Sequence, residues 1–234
     1  MATLAAAPSS RTRWRAYFPG ITSLLLALSL IAFSDNLVTD VGQPSNSTPR
    51  LIIHGLFGLG WSVSLALQAW LIYTGRTKQH RANGRLLFLV GAGLVLSTAY
   101  LFITTFRGFA AMSAEVVINR LLLPVFAVCL WQAWRQRMRP DLHKRFLLVG
   151  SFAMLSPVLA RDFNHLFWPW YPDPEGRDAD AAFLLFYFMS WGGLIGSLWL
   201  YDRATLGRVH RVTWIGSLVI ATIVVGTTLL MPAD

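Results

Sequence analysis

A chain of 234 residues in which 55% are hydrophobic and 13% charged lacks the polar side chains to clothe a soluble core. Soluble domains carry about 25% charged residues, so part of this surface must face lipid, and the mean hydropathy of +0.51 agrees. The net charge of +9 comes from 20 Lys and Arg against 11 Asp and Glu. These basic residues form short clusters between apolar runs, which argues against nucleic acid as a partner and fits loops beside anionic lipid.

The expected fold is all-α, a polytopic membrane helix bundle of about seven transmembrane helices. A cytoplasmic N-terminal segment, 1–16, carries Arg11, Arg13 and Arg15 and leads into one transmembrane domain over 17–234. A spanning helix needs about 20 mostly apolar residues. Seven segments qualify: 17–34, 51–74, 86–106, 114–134, 146–166, 181–201 and 212–231. The loop at 34–50 holds Asp35 and Asp40, and that at 75–85 holds Arg76, Lys78, Arg81 and Arg85. Near 107–113 there is only Arg107. Arg135, Arg137, Arg139, Lys144 and Arg145 follow together, then Asp173, Glu175, Asp178 and Asp180 with Arg177. Arg203, Arg208 and Arg211 close the series beside Asp202. The basic clusters fall on alternate loops, so the N-terminus is expected inside and the C-terminus outside.

The first span is the shortest, and Ala32 and Ser34 at its end resemble a signal-cleavage site. The long basic segment before it favours a retained helix over cleavage, which would leave six spans. Asn46-Ser47-Thr48 forms a glycosylation sequon in a predicted outer loop. Cys129, the single cysteine, lies in an apolar run and reads as a buried thiol, excluding an intramolecular disulfide.

Three helix ends resemble one another. Gln68-Ala69-Trp70 leads to His80-Arg81, Gln132-Ala133-Trp134 to His143-Lys144-Arg145, and Trp199 to His210-Arg211. They suggest one leading helix followed by three related hairpins, parallel in topology. Interfacial Trp and lipid-facing Arg account for much of the likeness. The sharper reading makes His80, His143 and His210 weak candidates for a metal site, whose ligand geometry would decide the matter.

Counting about 20 residues from each inner boundary brings another set to similar depth near the outer side. It comprises His54, Glu115, Asp162 and His165, with Arg107 at the end of the third span, Asn119 beside Glu115, and Arg120 and Arg161 deeper. A charge within the bilayer costs at least about 2.5–3.5 kcal/mol and needs a partner. The expected pairs are Arg120 with Glu115 or Asp162, and Arg161 with Glu115. One reading is an ion-pair network that locks the fourth and fifth spans. The other is an outward-facing pocket for an anionic head group, a haem propionate or a quinone carbonyl, with His54 and His165 as potential haem or metal ligands. Gly55, Gly58 and Gly60 would admit a close helix or a flat cofactor beside His54. Trp168, Trp170 and Tyr171 suit an interfacial belt, while the prolines among them suggest a lid. Pro157 and Pro124 are expected to kink their spans.

No Walker A, HExxH or GxSxG sequence is present. The last span has no Lys for a retinal Schiff base, and no span pairs His at i,i+4. His54, Trp61, Gln68, Leu71-Ile72, Gly75-Arg76, His80-Arg81 and Gly84, then Asp141-Leu142-His143-Lys144-Arg145, Pro157 and Arg161, resemble a group of bacterial multi-pass membrane proteins of unknown function over roughly residues 50–165. That resemblance implies a bacterial inner membrane and no particular reaction. The leading expectation is an accessory, non-catalytic membrane protein with an outward-facing pocket for a small ligand, a lipid or a cofactor. The alternatives are a redox protein holding haem or quinone, a small-solute transporter, and a structural subunit with membrane-protein partners.

The charge alternation makes a direct prediction. A phosphatase reporter fused after Asp234 is active on the outer side, and one inserted in the 75–85 loop is inactive; the reverse pattern inverts the topology.

Overall fold

The computed structural model describes residues 14–170 and 177–231. Arg11 and Arg13, and the predicted turn residues Tyr171, Pro172, Asp173, Pro174 and Glu175, lie outside them. Every described regular element is helical: α1 (Tyr17–Ala32), α2 (Pro49–Tyr73), α3 (Thr77–Thr104), α4 (Ala114–Arg135), α5 (Pro140–Ala153), α6 (Ser156–Leu166), α7 (Arg177–Leu206) and α8 (Arg211–Leu230). In lipid, a helix is the way for such apolar segments to satisfy their own backbone.

Five of these helices, α2, α3, α4, α7 and α8, are long and apolar enough to cross a membrane, and α5 with α6 makes a sixth candidate bent by 57°. α1 is apolar but has only 16 residues. At 1.5 Å per residue it reaches about 24 Å, short of the roughly 30 Å hydrocarbon core. A π-helical turn, Asp35–Thr39, continues from its end. The seven predicted spans therefore become five straight candidates, one bent pair and one shorter helix. Leu89, Leu96, Ile103, Leu185 and Leu229 are among many large side chains left exposed on the helices. A surface of that kind is stable against lipid rather than water, and the chain is a multi-pass integral membrane protein.

The core runs continuously from Trp61 and Leu65 of α2 through Leu122 and Phe126 of α4 to Leu198 of α7 and Val224 of α8. α5 lies at its centre, buried from Leu147 through Ala153. Small residues bring the neighbours close, as membrane helices require. A Cβ on Gly150 would stand 2.9 Å from Cys129 Cβ, and one on Gly216 would collide with Val149.

The break between α5 and α6 falls at Met154–Leu155, and Pro157 occupies the first turn of α6, where its missing N–H costs nothing. α7 serves the break. Trp191 Nε1 donates to the Phe152 carbonyl at 3.2 Å, and Tyr187 Oη donates to Ser156 Oγ at 2.6 Å. Pro124 behaves differently, for α4 runs unbroken past it.

The three turns of the resembling hairpins are not built alike. Gly75 (φ 79°) and Gly207 (φ 70°) turn the chain between α2 and α3 and after α7, in a left-handed conformation that glycine adopts without strain. The turn from α4 to α5 uses no positive φ.

Arg145 and Asp202, which read as loop charges in the sequence, are buried instead. Arg145 Nε and Nη2 donate to Asp202 Oδ1 at 2.9 and 2.5 Å, and Nη1 donates to the Asp141 carbonyl at 2.7 Å. Asp202 Oδ2 accepts from the His210 N–H at 3.0 Å and from Thr213 Oγ1 at 2.6 Å. One carboxylate thus ties α5, α7 and the start of α8 together. Beside it Lys144 Nζ donates to Tyr201 Oη at 2.8 Å, and Tyr201 stacks on Tyr17 at 4.6 Å, drawing in α1.

Removing one partner of a buried, hydrogen-bonded ion pair costs about 3–5 kcal/mol. Arg145→Met is expected to lower stability by that amount in mixed-micelle denaturation. Arg161→Ala, which breaks a partly exposed pair, should cost no more than about 1 kcal/mol; equal losses for the two variants would contradict this ranking.

Candidate functional site

The polar residues expected at the outer ends of the helices separate into distinct environments. α6 carries Arg161 and His165 one turn apart on the face turned to the end of α1. Arg161 Nη1 lies 3.6 Å from Asp35 Oδ2 and donates to Asn36 Oδ1 at 3.4 Å, with its guanidinium 4.8 Å above the Phe33 ring. His165 Nε2 lies 3.9 Å from Asp35 Oδ1. The expected pairing of Arg161 with Glu115 gives way to one with Asp35. Asn36 in turn donates to Ser45 Oγ and Asn46 Oδ1, each at 2.9 Å. The amide of Asn46, the sequon residue, is itself spent on the Asn36 and Val41 carbonyls at 2.8 and 3.0 Å.

Asp162 follows Arg161 by one position, about 100° around the helix, and points inward. It is fully buried, and neither carboxylate oxygen has a hydrogen-bond partner. The expected Arg120–Asp162 pair is not formed.

Arg120, on α4, reaches back to α3. Its Nη2 donates to the Phe102 carbonyl at 2.7 Å, and its guanidinium lies 4.8 Å and 5.4 Å from the Phe102 and Phe106 rings. Phe102 sits in the last turn of α3, where carbonyls lack an intrahelical donor, so the arginine completes the helix end. Its Nε, buried, makes no hydrogen bond. Gly108 (φ 95°) then turns the chain into the short helical segment Phe109–Ala111. Between this turn and α4 lies a hollow of about 290 Å³ lined by Arg107, Arg120, Thr105, Met112 and Val116. Among the described residues no carboxylate lines it. Glu115 stays exposed in the first turn of α4, where the helix dipole favours an acid, and Asn119 is half-buried one turn on.

His54 faces α3, with Nδ1 3.4 Å from both Ser97 Oγ and Thr98 Oγ1. A Cβ on Gly60 would meet Val90 at 3.4 Å, whereas Gly55 has open space around it. At Gly60 the close approach the glycines permit is that of a helix.

At the basic end, the His80 and His143 rings are 6.5 Å apart, and His143 Nδ1 bonds the Ala133 carbonyl at 2.9 Å. His210 does something else: its Nδ1 accepts from the Val212 N–H at 3.1 Å, capping α8. Burial, then the Arg145 guanidinium, hold His210 below the ordinary histidine range. Its Nε2 contact with Asp141 Oδ2 at 3.8 Å is therefore not an ion pair at neutral pH. Among the described residues no three His, Cys, Asp or Glu side chains converge in a way that would hold a metal ion. The arrangement of His80, His143 and His210 does not make the three-histidine site. No family model, curated protein or solved structure matches this chain.

Sequence reasoning missed Asp35 as the partner of Arg161 and His165. Its signal was present, an acid directly after an apolar run and level with the outer cluster. A further outcome concerns Asp162. Burying a carboxylate without partners is unfavourable, so Asp162→Asn is expected to raise stability by about 1 kcal/mol. A large loss in mixed-micelle denaturation would mean that the carboxylate has a structural role.

Proposed function

We propose that this protein is an accessory membrane protein that binds a small anion or an anionic lipid head group in the hollow between the α3–α4 connection and α4. The observation that carries this reading is the presence of two guanidiniums, Arg107 and Arg120, in a hollow that no carboxylate among the described residues lines. Arginine presents a planar fork of donors that suits phosphate and carboxylate oxygens. Arg120 retains an unused Nε donor, while Arg107 is exposed at the rim. Thr105 adds a hydroxyl, and Met112 and Val116 supply apolar walls for a glycerol or short acyl portion.

In this reading the chain crosses a bacterial inner membrane seven times, α1 included, with its N-terminus inside. That topology opens the hollow to the outer side. The cluster expected from the sequence is then divided: Arg107 and Arg120 bind, Glu115 and Asn119 border the hollow on α4, and Arg161 with His165 is occupied by Asp35. The haem or quinone alternative would draw on His54 and His165. It has less support, because His54 turns to Ser97 and Thr98 while His165 turns to Asp35.

Titration calorimetry with inorganic phosphate and with short-chain phosphatidic acid tests the proposal. A hydrogen bond to a charged group contributes about 1.5–3 kcal/mol, so Arg107→Ala should weaken binding at least about tenfold with unchanged thermal stability. Arg120→Ala should weaken it further and also loosen the end of α3. Binding that survives Arg107→Ala undiminished would overturn the assignment.

A further inference from the structure

The opposite end of the α3–α4 pair carries a second, independent feature. An apolar slot of about 670 Å³ runs along the outer surface between the two helices. Phe88, Ala92 and Leu96 form its α3 wall, and Ala127, Trp131 and Trp134 its α4 wall. The i,i+4 spacing of the α3 residues makes that wall straight. Arg85 lines one end.

Two more guanidiniums gather at the Trp wall. Arg135 lies 4.7 Å from the Trp131 ring, and Arg137 lies 4.7 Å from the Trp134 ring while its Nη1 donates to the Trp134 carbonyl at 3.2 Å. Trp134 in turn meets Phe88 edge to face at 4.8 Å. Arg85, Arg135 and Arg137 are all exposed, so their charge is available to a ligand at the membrane surface.

The dimensions select the occupant. From Arg85 to Leu96 the slot follows α3 for about 16 Å at 1.5 Å per residue, which is roughly one leaflet of a 30 Å hydrocarbon core. A single hydrocarbon chain entering from one leaflet matches that length and the apolar lining, and Arg85 at one end matches an anionic head group. The cationic end sits where the head group of such a lipid lies.

We infer that the α3–α4 slot is a binding site for an anionic phospholipid, one acyl chain lying between Phe88 and Trp131 and its phosphate held by Arg85 and Arg135. The site draws its specificity from the guanidiniums and its retention from the slot. The two contributions are separable by mutation. Ala92 and Leu96 are both exposed on the lipid side, so enlarging either blocks the slot without entering the core.

The experiment reconstitutes the full chain in vesicles of equal phosphatidylcholine and phosphatidylglycerol, extracts it in mild detergent, and counts retained lipid by native mass spectrometry. The wild-type protein should retain phosphatidylglycerol in preference. Each basic residue near a membrane surface contributes about 1 kcal/mol toward anionic lipid, about fivefold. Arg85→Gln should reduce the preference by that factor, and Arg85→Gln with Arg135→Gln by about its square. On an Arg107→Ala background, which weakens the separate hollow at the other end of the pair, Ala92→Phe should abolish retention of both lipids with thermal stability unchanged; Leu96→Trp serves the same purpose if Ala92→Phe is unstable. Soluble glycerol phosphate should not displace the bound lipid. Equal retention of the two lipids by the wild-type protein, retention that survives both slot-filling variants on the Arg107→Ala background, or a second copy of the chain held in place of lipid would each overturn the inference.

Discussion

Asp202 is the junction on which the arrangement of this bundle depends. A carboxylate in a largely lipid-facing protein is costly unless every lone pair is used, and here one oxygen takes the Arg145 fork while the other takes the His210 N–H and the Thr213 hydroxyl. These bonds anchor the start of α5 to the end of α7 and the start of α8. At the far end of α5 the chain breaks, and α7 again supplies the donors, Trp191 and Tyr187. The central helix is thereby held by one neighbour at both of its ends.

That clamp has consequences at the other side of the bundle. With α5 fixed and Pro157 opening a new helix, α6 leaves at 57° and carries Arg161 and His165 toward Asp35 at the end of α1. Arg161 is thus satisfied within the fold. Arg107 and Arg120 instead remain around a hollow that no carboxylate among the described residues lines. The same residue type acts as a strut in one place and as a candidate anion receptor in another, and the difference is set by the direction of α6. Asp162, about 100° further around the same helix and turned inward, is left without a hydrogen-bond partner.

The α3–α4 pair has a separate logic. Its outer end is closed by Arg120 bonding the Phe102 carbonyl and by the Gly108 turn. Its other end opens into the apolar slot beneath Arg85. Small side chains, Ala92 and Ala127, leave the gap, and the aromatic residues beside them give it stiff walls. Guanidiniums therefore flank an apolar middle at each end of this pair.

Much of the fold is legible in the residues. Apolar length and the Pro and Gly punctuation locate the helices, because a chain in lipid has few other ways to satisfy its backbone. Pro157 correctly marks a bend, since a proline without space for a continuing ladder begins a helix anew, whereas Pro124 resides inside a helix that its neighbours support. The depth of His54, Arg120 and Arg161 can be counted along their helices, but their partners cannot. Partner choice depends on how each helix is rotated and tilted, and a difference of one position, as between Arg161 and Asp162, reverses the environment. The residue pattern therefore establishes that the chain lives in a membrane, roughly where it crosses, and which charges require an explanation. Folding in three dimensions selects Asp35 for Arg161, buries Arg145 against Asp202, and leaves Arg107 and Arg120 at an open hollow, because those outcomes depend on contacts between segments far apart in the chain.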